Sequence, residues 1–138
     1  MIKLVYCITK KAGLTDQQFF DYWKNVHGPI GCRIPRLRKL VQSHRIAVPG
    51  DKRQPDRVSG FVLANPEMKR GSGFVLASPE QEYDGMAELW FDDAEALLAA
   101  RQSPEWIASH EDETNFIDHN KVAYFVSEEH IILDQPTP

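Results

Sequence analysis

The sequence has only two cysteines and no long hydrophobic run, which excludes several classes of protein. Cys7 and Cys32 do not form the CxxC pair of a redox or zinc motif. No apolar stretch approaches the roughly 20 residues that a membrane-spanning helix needs. The first residues lack the basic start, long apolar segment and cleavage site of a signal peptide. We therefore expect a cytoplasmic protein with reduced thiols and no membrane contact.

The motifs that mark common cofactors and covalent hydrolases are also missing. The sequence contains no Gly-x-Gly-x-x-Gly, no phosphate-binding loop, no Gly-x-Ser-x-Gly and no HExxH. The run His110-Glu111-Asp112-Glu113 has a different spacing and is interpreted as a solvated helix face. A formal net charge of −4 argues against a nucleic-acid partner. We therefore expect no cofactor and no metal.

What the sequence does contain is an aromatic-rich helix pattern that leads into a histidine. An apolar stripe with the spacing i, i+3, i+4 and i+7 is formed by Phe19, Tyr22, Trp23 and Val26. Gly28 and Pro29 follow, and this pair predicts the end of the helix. His27 would then lie at the C-terminal tip, where the helix dipole favours a protonated imidazole and where an acid–base group is plausible.

The order of the remaining elements predicts a ferredoxin-like fold. Alternating or apolar runs predict four strands, at Ile2–Thr9, Leu40–Val48, Met86–Phe91 and Lys121–Ser127. Asp92 is the predicted N-cap of a helix over Asp93–Arg101, and Ser103-Pro104 predicts the start of another. The result is a βαββαβ order with a four-stranded antiparallel sheet. Its helices cover one face, so we expect a second copy to cover the other.

A tandem duplication separates the second and third strands. Ser59–Glu67 recurs almost unchanged as Ser72–Glu80. Two copies are too few for a solenoid, so we interpret residues 51–82 as an inserted, duplicated loop within one domain that spans residues 1–138. The loop is either a surface hairpin or a flap that covers a pocket or extends a subunit interface.

Two motifs carry a family resemblance. The chain reads Trp-x-x-x-His-Gly-Pro over Trp23–Pro29 and Tyr-Asp-Gly-Met-Ala-Glu-Leu-Trp-Phe over Tyr83–Phe91. In these motifs it resembles the EthD-domain family of the dimeric α/β-barrel superfamily, from Met1 to about Arg53 and from Tyr83 to about Leu133. The resemblance implies a homodimer whose sheets form a barrel, with a pocket in each subunit and a functional histidine at position 27.

Three residues are predicted to be catalytic: His27, Glu88 and His44. Glu88 lies in an otherwise apolar strand, where a carboxylate must be paired, hydrogen-bonded or protonated. It is either the partner of an arginine such as Arg45 or Arg33, or a pocket carboxylate with a raised pKa that acts beside His27. His44 is either exposed to solvent or points into the barrel and holds a substrate oxygen.

A further set of polar and aromatic side chains could line the pocket. Gln42 shares a strand face with His44, and two tyrosines and two tryptophans could supply hydroxyls and flat walls, although each fits an aromatic core equally well. The predicted substrate-binding residues are Tyr6, Trp23, Gln42, Trp90 and Tyr124.

The resemblance implies a function in small-molecule metabolism. Related proteins include dehydratases and cyclases of aromatic polyketides and isomerases of lactones. We therefore expect a cofactor-independent acid–base enzyme that acts on a small aromatic, phenolic or lactone-like metabolite. The alternatives are a non-catalytic accessory or ligand-binding protein of a catabolic pathway, and a cofactor-free oxygenase.

Overall fold

The computed structural model describes residues 1–50 and 83–137, in which four strands form one antiparallel sheet. The strands are β1 (Ile2–Ile8), β2 (Lys39–His44), β3 (Gly85–Phe91) and β4 (Ala123–Glu128). They lie in the order β2-β3-β1-β4, and each neighbouring pair is antiparallel. The predicted ferredoxin-like sheet is confirmed, while the predicted duplicated loop, with its possible flap, lies outside the described residues.

The first helical segment continues past the point where the sequence predicts its end. Helix α1 (Asp16–Tyr22) leads into a π-helical turn (Trp23–His27) and then into α2 (Gly28–Gly31). The Gly28 N–H bonds to the carbonyl of Trp23, five residues back. A proline ring clashes with the carbonyl four residues back in an α-helix, and the wider π turn before Pro29 relieves this clash. The predicted break is therefore wrong, and His27 is not at a helix C-terminus.

The second helical segment packs beside the first and ends close to His27. Helix α3 (Ala94–Arg101) is capped by Asp93, one residue later than predicted, and α4 (Pro104–Asp112) is capped by Ser103 as predicted. A single 3₁₀ turn (Glu113–Asn115) follows. No helix in the two described parts of the chain is long and apolar enough to cross a lipid bilayer.

The hydrophobic core lies between the helices and one face of the sheet. Residues that alternate along β1 and β3 point to this side because successive strand residues face opposite ways. The largest fully buried side chains of the core are Trp23, Phe19, Phe91, Phe116 and Ile8. Each such side chain contributes about 1.5–3 kcal/mol when it is removed from water. The core thus fixes the aromatic helix against the sheet.

The opposite face of the sheet also carries apolar side chains. Along one row of strand neighbours, Val5 lies opposite Glu88 on β3 and Phe125 on β4. Val5 is buried, yet 55% of Phe125 is exposed. The described helices pack against the other face. This second face, with Val41, Met86 and Ala123 in neighbouring positions, is therefore an apolar surface on a single copy of the chain.

Candidate functional site

A cavity of about 540 Å³ lies between the sheet and the helices. Its walls are mostly apolar, and the polar groups that reach it include Tyr6, His27, Gln42, Glu113, His119 and Tyr124. A concave apolar space with a few convergent polar groups is the usual form of a small-molecule site. Five of the eight predicted site residues line this cavity: Tyr6, Trp23, His27, Gln42 and Tyr124.

His27 is held by a largely shielded carboxylate on the other helical segment. Its Nδ1 atom lies 2.8 Å from Oδ2 of Asp112, and each side chain is only 12% exposed. The imidazole also packs on Phe116, with 4.7 Å between ring centroids. Among the residues that the structure describes, none bonds to Nε2 of His27. Because His27 lines the cavity, Nε2 is the nitrogen available to a bound molecule.

Asp112 is itself fixed by three donors. The Tyr22 hydroxyl donates to Oδ1 over 2.6 Å, and the Asn115 amide donates to the same oxygen over 3.1 Å. Burial alone would raise the pKa of Asp112, but the hydrogen bonds from Tyr22, His27 and Asn115 outweigh it and hold the pKa below its ordinary value. The carboxylate therefore stays ionised near neutral pH and stabilises a positive charge on His27.

His44 does not share the cavity of His27. Its ring stacks on Trp23 and Phe20, with 4.5 and 4.9 Å between centroids, and its Nε2 lies 2.9 Å from Oε1 of Gln42. It lines a neighbouring cleft beside Lys24. Burial and then the charge of Lys24 lower the pKa of His44, which keeps the ring neutral. The prediction that His44 faces the same pocket as His27 is therefore wrong.

Gln42 links the cavity wall to the π turn. Its Nε2 donates to the carbonyl of Trp23 over 2.8 Å. The amide thus holds the aromatic helix against β2.

Glu88 lies on the opposite face of the sheet. Ala87 and Leu89 line the cavity, so the residue between them points away from it. Its carboxylate accepts a hydrogen bond from Nζ of Lys3 over 2.7 Å. The predicted contact between Glu88 and His27 is wrong, and so is the alternative of an arginine partner. The carboxylate that bonds to the histidine is Asp112.

Trp90 is also on the face away from the cavity. The ammonium groups of Lys3 and Lys39 lie 5.2 and 4.7 Å from its ring centroid, and its indole N–H donates to Glu129. Trp90 is therefore not a wall of the cavity, contrary to the prediction.

Tyr6 and Tyr124 reach the cavity from the same sheet face. The two residues are direct strand neighbours. The Tyr6 hydroxyl donates to Oε1 of Glu113 over 3.0 Å, and burial, followed by the charge of Glu113, raises the pKa of Tyr6. Tyr6 thus remains a neutral donor. Tyr124 is 68% exposed and lies at the rim.

One face of α4 that lines the cavity was not predicted from the sequence. The run from His110 to Glu113 was interpreted as solvated, yet Glu113 is only 8% exposed. The helix side that lines the cavity has the spacing i, i+3, i+4 and i+7 and consists of Trp106, Ser109, His110 and Glu113. This spacing could have identified the face from the sequence. The face was overlooked because most of its side chains are polar.

The sheet order and the cavity define an α+β protein with a ferredoxin-like fold and a pocket between sheet and helices. The model of the EthD domain matches residues 11–120. The chain therefore belongs to the EthD family.

Solved structures show the same fold at low sequence identity. An EthD family protein from Bacillus halodurans C-125 has a TM-score of 0.61 and 22% identity, over 94% of this chain and 99% of that one. A dimeric protein of unknown function from Bacteroides fragilis has a TM-score of 0.55 and 11% identity, over 93% and 95%. SnoaB, a cofactor-independent oxygenase from Streptomyces nogalater, has a TM-score of 0.55 and 8% identity, over 97% of each chain. No curated protein matches the chain.

Proposed function

We propose that this protein is an acid–base enzyme of the dehydratase, cyclase or isomerase type, with proton transfer at His27 that uses no organic cofactor. One observation carries the proposal. His27 lines an apolar cavity, and its Nδ1 lies 2.8 Å from the carboxylate of Asp112, which is only 12% exposed. This arrangement leaves one imidazole nitrogen for proton exchange and supplies a fixed negative charge behind the ring.

The pair of His27 and Asp112, called the dyad below, supports proton transfer at carbon or oxygen. Nε2 of His27 removes a proton from a carbon next to a carbonyl group, and the electrons move towards the carbonyl oxygen. Asp112 stabilises the imidazolium that forms and keeps the ring in one orientation. The imidazolium then returns the proton to a different atom, which gives an isomer, or to a leaving hydroxyl, which gives a dehydrated product.

The cavity favours a small, flat and mostly apolar substrate. Trp23 and Trp106 provide aromatic surface, and the mostly aliphatic sheet wall includes Leu4 and Leu89. The Tyr124 hydroxyl at the rim and the Tyr6 hydroxyl deeper in the sheet are the nearby groups that could bond to substrate oxygens. A phenolic, aromatic or lactone-like metabolite fits this combination of flat apolar walls and few polar groups.

The proposal includes a homodimer in which two sheets pack face to face. The second sheet face carries Val5, Val41, Met86 and Phe125 and is apolar enough to need cover. The similar protein from Bacteroides fragilis is described as dimeric, which supports the same assembly for this chain.

The test is a turnover screen with purified wild type, His27→Ala and a matched control, His130→Ala. His130 is exposed, so this control also removes one imidazole. The panel contains phenols, anthrone-like polyketides and unsaturated lactones, with products detected by mass. We expect wild type and His130→Ala to convert a panel member and folded His27→Ala to lose that conversion.

The other outcomes separate the remaining functions. Binding of a panel member by all three proteins without conversion would favour an accessory or ligand-binding protein. Product formation that consumes oxygen would favour an oxygenase. Conversion that persists in His27→Ala would refute the role assigned to the dyad.

A further inference from the structure

Two imidazoles converge on one carboxylate oxygen at the cavity wall. Oε1 of Glu113 lies 3.0 Å from Nε2 of His119 and 3.3 Å from Nδ1 of His110. Each residue offers one ligand atom, and the three atoms all lie within 4.8 Å of one another. The two rings stack, with 5.5 Å between centroids. Among the described residues, His110, Glu113 and His119 form the group whose ligand atoms are close enough together to hold one metal ion.

The spacing of these atoms fits coordination of a single ion. Nitrogen and oxygen ligands lie about 2.0–2.1 Å from a divalent transition metal, so neighbouring ligand atoms are roughly 2.8–3.4 Å apart in octahedral or tetrahedral geometry. The observed 3.0 and 3.3 Å fall in this interval. Two of the three separations between ligand atoms therefore already suit a single ion, and the third, between the two imidazole nitrogens, is within 4.8 Å.

The surroundings resemble those of an open metal site. The Tyr6 hydroxyl donates to the same Glu113 oxygen over 3.0 Å and would orient the carboxylate. Glu113 is buried, while the His110 side chain is 67% exposed, so an ion could enter from solvent. All four residues line the cavity. A site with three protein ligands leaves a coordination position for water or for a substrate oxygen.

We propose that His110, Glu113 and His119 form a binding site for one divalent first-row transition metal ion on the cavity wall. Two imidazoles and one carboxylate suit Zn²⁺, Fe²⁺ or Co²⁺ better than Mg²⁺ or Ca²⁺, which prefer ligand sets made of oxygen. An ion there would hold a phenolic or carbonyl oxygen of a molecule in the cavity. The proposal does not rest on the chemistry assigned to His27.

Metal titration of the full chain tests this site without any substrate. Chelator-treated protein is titrated with Co²⁺, whose visible absorption reports coordination, and Zn²⁺ is then added in competition. We expect one ion per chain with a micromolar or lower Kd. His119→Ala and His110→Ala should each weaken binding by at least roughly 100-fold, because even residues behind the ligands cost about 10–100-fold. Tyr6→Phe should weaken metal binding by the smaller factor of about 10–100-fold.

The controls distinguish this site from adventitious binding. His130→Ala removes an exposed imidazole elsewhere and should leave the Kd unchanged. Because His110 is largely exposed, His110→Ala should fold normally, which circular dichroism checks. The proposal is overturned if Co²⁺ gives no coordination spectrum, or if His110→Ala and His119→Ala bind as tightly as His130→Ala. In that case the cluster is only a set of hydrogen bonds to Glu113.

Discussion

Nδ1 of His27 lies 2.8 Å from Oδ2 of Asp112. The two residues are 85 positions apart in the chain, and their contact joins the two helical segments. It also divides the roles of the two imidazole nitrogens, because one is bonded to the carboxylate and the other is left for the cavity. This division has consequences that can be measured on turnover and on acid stability. The sheet face away from the cavity and the packing of Trp23 give separate predictions.

The first prediction compares two carboxyl-to-amide changes on opposite faces of the sheet. Asp112→Asn keeps the side-chain shape but removes the charge that stabilises the His27 imidazolium, so we expect kcat to fall by about 10²–10⁴-fold. Glu88→Gln changes the residue that bonds to Lys3, away from the cavity, and should leave kcat unchanged. Steady-state kinetics on the substrate found by the screen make the comparison. A loss in Glu88→Gln that matches the loss in Asp112→Asn would refute the dyad.

The second prediction concerns stability in acid. The folded-state pKa of Asp112 lies below the ordinary 3.8, so its ionised form stabilises the fold above pH 3.8, and this contribution disappears as the pH falls through the folded-state pKa. Urea unfolding of wild type and Asp112→Asn should show a difference in unfolding free energy that is present at neutral pH and shrinks as the pH falls below 3.8. The control Asp134→Asn, in the exposed tail, should follow wild type. A difference that does not change with pH would contradict the prediction.

The third prediction concerns the apolar sheet face. Phe125→Asp places a charge on the proposed interface, on the edge strand β4, and should convert the dimer to a monomer, as measured by sedimentation or light scattering. Ile107→Asp is the matched control, since Ile107 is 50% exposed but lies on α4. It should leave the assembly unchanged. If wild type is a monomer, or if Phe125→Asp remains a dimer, the two sheets do not pack together.

The fourth prediction concerns the start of β3 beneath Trp23. A Cβ atom at Gly85 would lie 2.5 Å from the carbonyl oxygen of Ser43 and 2.5 Å from Cζ3 of Trp23. Gly85→Ala should therefore lower the free energy of unfolding by about 1–3 kcal/mol. Gly31→Ala meets a flexible Leu40 side chain at 3.3 Å and should change stability less. Equal effects in urea unfolding would contradict this packing.

The sheet could be predicted because side chains alternate strictly along a strand. Alternation along the predicted strand Met86–Phe91 puts Ala87 and Leu89 on one face and Glu88 and Trp90 on the other, and the structure has the same division. The sequence could not tell which face the helices cover, because both faces carry apolar side chains. Glu88 was consequently placed in the pocket when it lies outside it.

The helical part of the site was less predictable for two physical reasons. Gly28 and Pro29 normally end a helix. This helical segment continues through a π turn, and the Trp23 carbonyl in that turn accepts a hydrogen bond from Gln42, which is distant in the sequence. Asp112 and Glu113 have charged side chains, which are usually solvated. Their burial depends on partners such as Tyr22 and Tyr6 that are distant in the sequence.

The tautomer of His27 is the most direct test of the central claim, and it requires no substrate. Long-range ¹H–¹⁵N NMR spectra, assigned with His27→Ala, distinguish a protonated from an unprotonated ring nitrogen at a pH where the imidazole is neutral. We predict a proton on Nδ1, bonded to Asp112, and an unprotonated Nε2 whose resonance shifts when a cavity ligand is added. A neutral ring that carries its proton on Nε2, unchanged in Asp112→Asn, would contradict the proposed proton-transfer site.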